Sequence, residues 1–208
     1  MDDRPAIQLT LEASPLLGPR AAVVYAVFIV SLTLPGDAAE CGVWEGHTAH
    51  EMGAVLKFAG VNKRLHLFDT FTGMPDIATP EELAIERPQE NWAQITPGSI
   101  LGTEEIVRER MAGLPYRLYR GLFSETFPSF DTPLCFIHAD ADLYASTVDI
   151  IRMADRLLVP QGYIVFDDYD SVMFPGVMRA VREYLDPGRY DFWKPKEDDI
   201  QLLARKVR

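Results

Sequence analysis

Four aspartates that closely follow two short apolar runs are the residues of this chain best placed to do chemistry. Asp140 and Asp142 follow the run 133–137, and Asp167 and Asp168 follow the run 163–166. If both runs are neighbouring strands, each pair of like charges at about 4 Å costs roughly 4 kcal/mol at an effective dielectric near 20. A divalent cation or a shared proton relieves such repulsion. The aspartates therefore predict a metal site at the strand ends, although single aspartates also serve as helix caps and turn formers.

A glycine-containing segment, 40–46, follows another apolar run and opens a helical stretch. Glycine lets a ligand approach the backbone, and a helix N-terminus presents free N–H groups. The segment departs from the G-x-G-x-x-G fingerprint and begins with Glu40, an acid that suits an ammonium or sulfonium ligand better than a pyrophosphate. Asp69, at the tip of the next apolar run, can accept both hydroxyls of a ribose. The alternative is that Asp69 only caps a turn with Thr70.

Length and composition bound the class of protein. The chain has 208 residues, which suits one domain with a sizeable core. A net charge of −11 with no basic run argues against binding nucleic acid through its phosphates. Cys41 and Cys135 both lie in apolar runs, so we expect buried free thiols and a reducing, cytoplasmic location.

One stretch near the N-terminus, 21–34, is apolar and carries no charge. It is too short to cross a bilayer as a helix, and no small-residue cleavage pattern follows it. We interpret it as a buried helix in an N-terminal helical segment, 1–36, rather than as a signal peptide. No membrane partner is expected.

Helical and strand-like patterns alternate along the chain, which predicts an α/β domain with a mostly parallel sheet. The predicted strands are 38–43, 64–68, 116–122, a run ending at Asp140, 163–166, and an antiparallel edge at 190–193 and 200–207. The predicted helices are 48–58, 104–112 with Thr103 as its cap, 146–158 and 176–185.

The stretch 73–102 carries four prolines and little periodicity. A loop of this length inside a compact domain is usually functional, so we predict an acceptor lid with a short helix around 81–85. Trp92 is a candidate to pack on a ring of the acceptor.

Five segments together resemble the macrocin O-methyltransferase (TylF/MycF-like) family over roughly residues 37–186. They are ECGVWEGHTAHEMGAVLK from residue 40, LFDTFTGMPD from 67, GLFSETFP from 121, FIHADADLYAST from 136 and GYIVFDDYD from 162. The resemblance implies one Rossmann-like class I methyltransferase domain, 1–208, with a seven-stranded sheet and helices on both faces. It also implies S-adenosylmethionine and Mg²⁺ as cofactors, a hydroxyl of a sugar or natural product as acceptor, and a homodimer.

The same resemblance assigns site residues. Asp140, Asp167 and Asp168 match the metal ligands, and Asp142 matches the general base, with His138 as the alternative base. The cofactor positions are Glu40, Gly42, Val43, Trp44 and Gly46 for the methionine part, Asp69 for the ribose, Thr70 and Phe71 for the adenosine, Ser124 and Glu125 for the adenine, and Asp140 beside the reacting end.

Two other functions are weighed against this one. A catechol-type methyltransferase on phenolic diols would more often have Asn where this chain has Asp168 and Lys where it has Leu143. A non-catalytic module that only binds S-adenosylmethionine would have little need for all four aspartates. Both alternatives are therefore disfavoured, while the identity of the acceptor is left open.

Overall fold

A seven-stranded sheet organises the part of the chain that the computed structural model describes, residues 19–76, 84–85, 96–196 and 199–208. Its strands are β1 (Asp37–Cys41), β2 (Leu65–Asp69), β3 (Tyr116–Arg120), β4 (Leu134–Ala139), β5 (Leu158–Phe166), β6 (Tyr190–Trp193) and β7 (Leu202–Lys206). The order is β3-β2-β1-β4-β5-β7-β6, in which β7 pairs antiparallel with β5 and β6 while the other neighbours are parallel. This is the predicted mostly parallel sheet with an antiparallel edge.

Helices connect the strands. They are α1 (Pro19–Ser31), α2 (His47–Ala59), α3 (Glu104–Arg110), α4 (Phe123–Thr126), α5 (Tyr144–Leu157) and α6 (Pro175–Tyr184), with a 3₁₀ turn at Phe127–Ser129. The apolar side chains form two clusters, one containing residues of α1 and α2 and the other residues of α5 and α6. Helices therefore cover both faces, and all six positions of β4 are buried between them.

The predicted N-terminal helix is confirmed, with bounds of Pro19–Ser31. Its residues Val23, Val27 and Phe28 are buried, and the helix contacts β4 and β5 of its own chain. It stops at Ser31 because 32–34 form turns closed by backbone bonds to Ile29 and Ser31. No helix in the described part of the chain has the length and apolar character needed to cross a membrane.

Most predicted element bounds agree with the structure to within two residues, and the start of β5 differs for a local reason. Thr103 caps α3 as predicted, with its Oγ1 accepting a bond from the Ile106 N–H at 3.4 Å. By contrast, β5 begins at Leu158 instead of residue 163, because Pro160 and Gly162 lie inside a strand whose pairing with β4 shifts register.

The predicted lid, 73–102, is described only at its ends and at the helical residues 84–85. Residues 81–83 of the predicted short helix and Trp92 lie outside the described residues. The two ends of the stretch meet, since the Met74 N–H donates to the Ser99 carbonyl at 2.7 Å and the Gly98 N–H donates to the Met74 carbonyl at 2.8 Å.

A buried lysine joins the last strand to the end of α5. Lys206 is 6 % exposed, and its Nζ donates to the carbonyls of Ala154, Asp155 and Leu158 at 3.3, 3.0 and 2.8 Å. Carbonyls at a helix C-terminus have no partner within the helix. The lysine therefore supplies the donors that this helix end needs.

We predict that Lys206→Met lowers the free energy of unfolding by about 1–3 kcal/mol, because buried carbonyls lose their donor while the volume is nearly kept. Urea denaturation measures the change. Lys57→Met, at an exposed lysine, is the matched control and should stay within about 0.5 kcal/mol of the parent. Equal stability of the two variants would contradict the assignment.

Candidate active site

A cavity opens at the carboxyl ends of β1, β2 and β4. Its volume is about 860 Å³ with the solvent-open mouth included. It is lined by Gly42, Trp44, Asp69, Thr70, Gly73, Met74, Pro75, Ile100, Gly121, Leu122, Phe123, Asp140, Ala141, Asp142, Ser146 and Phe174. Ligands of open α/β sheets bind at this end of the strands.

Gly42 joins the loop after β1 to the backbone after β4. Its φ is 88°, and a Cβ built on it would lie 1.8 Å from the Asp140 carbonyl oxygen. The Gly42 N–H also donates to the Phe68 carbonyl at 2.9 Å, and the Asp140 N–H donates to the Cys41 carbonyl at 2.9 Å. Only glycine fits here, because any side chain would separate the loop from the acidic strand end.

Asp69 holds the same loop with its carboxylate. Oδ2 accepts the N–H groups of Val43 and Trp44 at 2.7 and 3.0 Å, and Oδ1 accepts the Phe71 N–H at 2.8 Å. The Thr70 hydroxyl lies 3.4 Å from Oδ1. Asp69 thus lines the cavity, as expected for a ribose ligand, and also shapes the turn, as the alternative interpretation expected.

Strained backbone is concentrated around this cavity. Among the described non-glycine residues, positive φ occurs at Trp44 (48°), Phe71 (53°), Ile100 (53°), Asp142 (60°) and Gln161 (68°). Three of the five line the cavity, and Phe71 is bonded to the cavity residue Asp69. Such conformations cost free energy and persist at sites whose geometry the surrounding structure fixes.

Three carboxylates meet at the acidic end of the cavity. One oxygen from each of Asp140, Asp142 and Asp168 lies within 4.8 Å of the other two. The left-handed backbone at Asp142 turns its side chain toward Asp140. Carboxylate oxygens are the ligands that hard divalent cations such as Mg²⁺ prefer, so the chemistry of these donors fits such an ion.

The pKa values of all three carboxyl groups are raised, as expected for buried negative charges that lie close together. Burial, followed by the charge of Asp167, raises the pKa of Asp140 to about 8. Burial and the charges of Asp140 and Asp168 raise the pKa of Asp142 well above its usual range. Burial and the neighbouring charge of Asp167 raise the pKa of Asp168 as well. Ionising all three together is therefore unfavourable without a cation.

Asp167 has different surroundings from the other three aspartates. Its Oδ1 accepts a bond from the Gln201 Nε2 and lies 3.9 Å from the His138 Nε2, while its Oδ2 lies 3.5 Å from an Arg20 nitrogen. Burial would raise the pKa of Asp167, but these partners lower it below its usual range. The expected metal ligands and the three carboxylates that the structure brings together therefore share Asp140 and Asp168. The third residue is Asp167 in the expected set and Asp142 in the structure.

His138 is buried between two acids. Its Nδ1 lies 3.0 Å from Oε1 of Glu40, and its Nε2 faces Asp167. Burial would lower the pKa of His138, but the nearby carboxylates of Asp167 and Glu40 raise it well above its usual range. Glu40 is itself 2 % exposed, and burial raises its pKa. The histidine thus lies buried between two carboxyl groups and does not line the cavity.

The structure divides the expected cofactor residues into three groups. Gly42, Trp44, Asp69, Thr70 and Asp140 line the cavity. Glu40, Val43, Gly46 and Phe71 support the loops that form its wall. Ser124 and Glu125 are exposed, because α4 turns them outward and Glu125 accepts the Leu122 N–H at 3.3 Å. The wall at this point is formed by the preceding Gly121, Leu122 and Phe123 instead.

Two contributors to the acidic site carry no motif. Arg20 of α1 lies 3.5 Å from oxygens of both Asp167 and Asp168, and Gln201 precedes β7. Nothing local in the sequence marks either residue. Only the packing of α1 on β5 and the pairing of β7 with β5 bring them to the site.

The sheet order, the glycine loop after β1 and the strand-end cavity together define a class I methyltransferase fold. The solved structure of the O-methyltransferase NovP superposes with a TM-score of 0.71 at 25 % identity, covering 99 % of this chain and 79 % of NovP. The calicheamicin methyltransferase CalS11 superposes with a TM-score of 0.74 at 19 % identity, covering 97 % and 90 %.

The chain belongs to the macrocin-O-methyltransferase (TylF) family, whose model matches residues 3–189. The 8-demethyl-8-(2,3-dimethoxy-alpha-L-rhamnosyl)-tetracenomycin-C 4'-O-methyltransferase of Streptomyces olivaceus is 34 % identical over 78 % of this chain and 62 % of its own length. The mycinamicin III 3''-O-methyltransferase of Micromonospora griseorubida is 31 % identical over 74 % of this chain and 61 % of its own length. The chain thus spans about six-tenths of the length of these relatives.

The raised pKa values predict how the stability of the metal-free protein depends on pH. A group whose pKa is raised by folding contributes stability below its unfolded pKa and loses it as pH rises through the folded value. For Asp140 the loss extends up to about 8. We expect the contribution of Asp140 to the free energy of unfolding in EDTA to fall between about pH 4 and 8, by at most about 1.4 kcal/mol per proton for each pH unit.

The variant Asp140→Asn should show a shallower fall, because the amide does not titrate. Asp131→Asn, at an exposed aspartate, should keep the slope of the parent. Urea titrations at several pH values give the slopes. Identical slopes in all three proteins would show that Asp140 is ionised alike in the folded and unfolded chain.

Proposed function

We propose that this chain transfers the methyl group of S-adenosylmethionine to a hydroxyl of a small polyhydroxylated acceptor, a sugar or another natural product, with Mg²⁺ at the acidic end of the cavity. The observation that carries the proposal is the meeting of Asp140, Asp142 and Asp168 at one end of a cavity whose wall includes the glycine loop. Two relatives of this chain are O-methyltransferases, one of a rhamnosyl tetracenomycin and the other of mycinamicin III.

The loop after β1 supports the cofactor assignment. Gly42 lets the loop after β1 lie directly against the Asp140 backbone, and Asp69 fixes the loop by binding the N–H groups of Val43 and Trp44. Oδ2 of Asp69 accepts two backbone bonds and Oδ1 accepts one, so Oδ1 keeps a lone pair that can accept a ribose hydroxyl. Apolar side chains of Leu122 and Phe123 form the wall where a flat base can pack.

The acidic end supports a divalent cation. Asp140, Asp167 and Asp168 would hold the ion, in keeping with the family resemblance, and their crowded charge would be neutralised by it. When bound, S-adenosylmethionine supplies an electrophilic methyl group, and Mg²⁺ lowers the pKa of an acceptor hydroxyl. The chain supplies the orientation, which is a large part of the rate in a displacement reaction.

Asp142 is the better placed of the two candidate bases. It lines the cavity beside Asp140, where an acceptor hydroxyl would approach. A raised pKa makes its carboxylate a stronger proton acceptor than an ordinary aspartate. His138 is buried, and its two ring nitrogens face Glu40 and Asp167. In the proposed reaction Asp142 takes the hydroxyl proton, and His138 keeps Asp167 in place.

We predict that Asp142→Asn lowers turnover by about 100-fold or more, on the order expected for loss of a general base. If Asp142 is the base, affinity for Mn²⁺ as a magnesium substitute should stay nearly unchanged. Turnover is measured by mass spectrometry of methylated product from a panel of sugar and phenolic diols, and Mn²⁺ affinity by electron paramagnetic resonance of the free ion.

A parallel loss of Mn²⁺ affinity in Asp142→Asn would make that residue a metal ligand rather than the base. Ser146→Ala is the matched control, since Ser146 lines the same end of the cavity without a charge. Turnover only on catechol-like diols would favour the phenolic acceptor class. Absence of product from every acceptor, with S-adenosylmethionine bound, would support a binding module.

Asp168→Asn tests the metal cluster, because Asp168 is one of the expected metal ligands and also one of the three carboxylates that meet in the structure. Mg²⁺ should raise the melting temperature of the parent by mass action on the folded state. We predict a smaller rise for Asp168→Asn, since one ligand charge is gone, and a higher melting temperature than the parent in EDTA, since repulsion is reduced. Differential scanning fluorimetry measures both.

The cation part of the proposal fails if the parent protein is fully active in EDTA. It also fails if the parent and Asp168→Asn respond identically to limiting Mg²⁺. Neither result would touch the assignment of S-adenosylmethionine, which rests on the glycine loop and Asp69.

A further inference from the structure

Gln201 connects the antiparallel edge of the sheet to the acidic site. It is fully buried, with 0 % of its surface exposed, and its Nε2 donates to Oδ1 of Asp167. It lies beyond residue 189, where the match to the family model ends. No motif named above includes it. The contact is therefore a property of the fold that the family resemblance did not reveal.

The pairing of β5 with β7 brings the two residues together. Phe166 lies opposite Leu202 in this antiparallel pair, so the same register continued by one step places Asp167 opposite Gln201. The entry to β7 is fixed from both sides. The Gln201 N–H donates to Asp199 at 3.0 Å, and the Ile200 carbonyl accepts the Asp170 N–H at 2.9 Å.

The bond from Gln201 distinguishes the two oxygens of Asp167. Oδ1 is turned inward, toward the amide of Gln201 and the ring of His138. Oδ2 is left on the outer side, where the guanidinium of Arg20 contacts both it and Oδ1 of Asp168. Oδ2 of Asp167 therefore lies on the side of Asp168, whereas Oδ1 is occupied by the bond from Gln201.

We propose that Gln201 is a positioning residue that holds Asp167 with Oδ2 facing the site of the divalent cation. The inference rests on the proposed function, because it assumes a cation at the aspartate cluster. Hydrogen-bond partners of ligating carboxylates fix their orientation, and their loss typically weakens metal binding by about 10–100-fold.

The side-chain amide of Gln201 supplies a donor to Asp167 that carries no charge. A carboxylate of the same shape would place another negative charge beside Asp167. An apolar side chain would leave Oδ1 of Asp167 without the hydrogen bond from the Gln201 amide. A glutamine donates without adding charge. The cross-strand pair therefore uses the last strand of the sheet to orient a residue at the end of β5.

The test measures Mn²⁺ binding to the full chain by electron paramagnetic resonance of the free ion. We expect Gln201→Met and Gln201→Leu, two apolar replacements of different shape, each to weaken Mn²⁺ affinity by about 10-fold or more. Gln161→Met is the matched control. Gln161 donates its side-chain amide to the Val207 carbonyl at 3.3 Å, away from the aspartates, and its replacement should leave Mn²⁺ affinity as in the parent.

Calorimetric titration with S-adenosylhomocysteine reports whether each variant keeps its fold, and unchanged affinity is expected for all of them. Parent-like Mn²⁺ affinity in either folded Gln201 variant overturns the positioning role while leaving the proposed function intact. Absence of Mn²⁺ binding to the parent itself overturns the cation site and the positioning role together. A loss of Mn²⁺ affinity in the Gln161 control equal to that in the Gln201 variants would also overturn the inference.

Discussion

Repulsion between carboxylates at the ends of β4 and β5 is the constraint on which the rest of the site depends. Four aspartates within a few residues of two adjacent strands cannot all be ionised and buried without compensation. Asp167 is compensated by the guanidinium of Arg20 and by the side-chain amide of Gln201. Asp140, Asp142 and Asp168 are left as a group whose pKa values rise. Bound protons or a bound cation therefore reduce the repulsion among these three carboxylates.

The cofactor loop and the acidic end are joined at one atomic contact. Gly42 lies against the carbonyl of Asp140, so the backbone that follows β1 and the backbone that follows β4 cannot move independently. Asp69 adds a third strand end to this unit by binding Val43 and Trp44. The geometry of the glycine loop and of the acidic end is therefore set by the same few backbone atoms, which would suit the in-line displacement of the proposed function.

Much of this arrangement could be predicted from local sequence. Apolar runs of strand length, helices between them and acids directly after them predict a parallel sheet with a site at the strand ends, and that is what β1, β2, β4 and β5 form. The contributions of Arg20 and Gln201 could not be predicted, because they lie 147 and 34 residues from Asp167 and carry no local pattern.

The left-handed turn at Asp142 was also outside the reach of pattern analysis. An extended strand would place Asp140 and Asp142 on one face, and the structure groups them through a φ of 60° instead. The exposed positions of Ser124 and Glu125 have a similar cause, since a four-residue helix decides which side chains face the cavity. Backbone reversals of one or two residues escape periodicity because they are shorter than the period itself.

The joined ends at Met74, Gly98 and Ser99 have a consequence for how such enzymes diversify. Two backbone bonds close the neck of the stretch between them, and Gly73 packs against the backbone of Gly98 so closely that its Cβ position lies 2.6 Å from it. The contacts at the neck therefore do not depend on the length of the segment between its two ends. The entropic cost of closing a longer segment also grows only slowly. The stretch between these ends can therefore change in sequence and length while the neck and the acidic end of the cavity stay as they are.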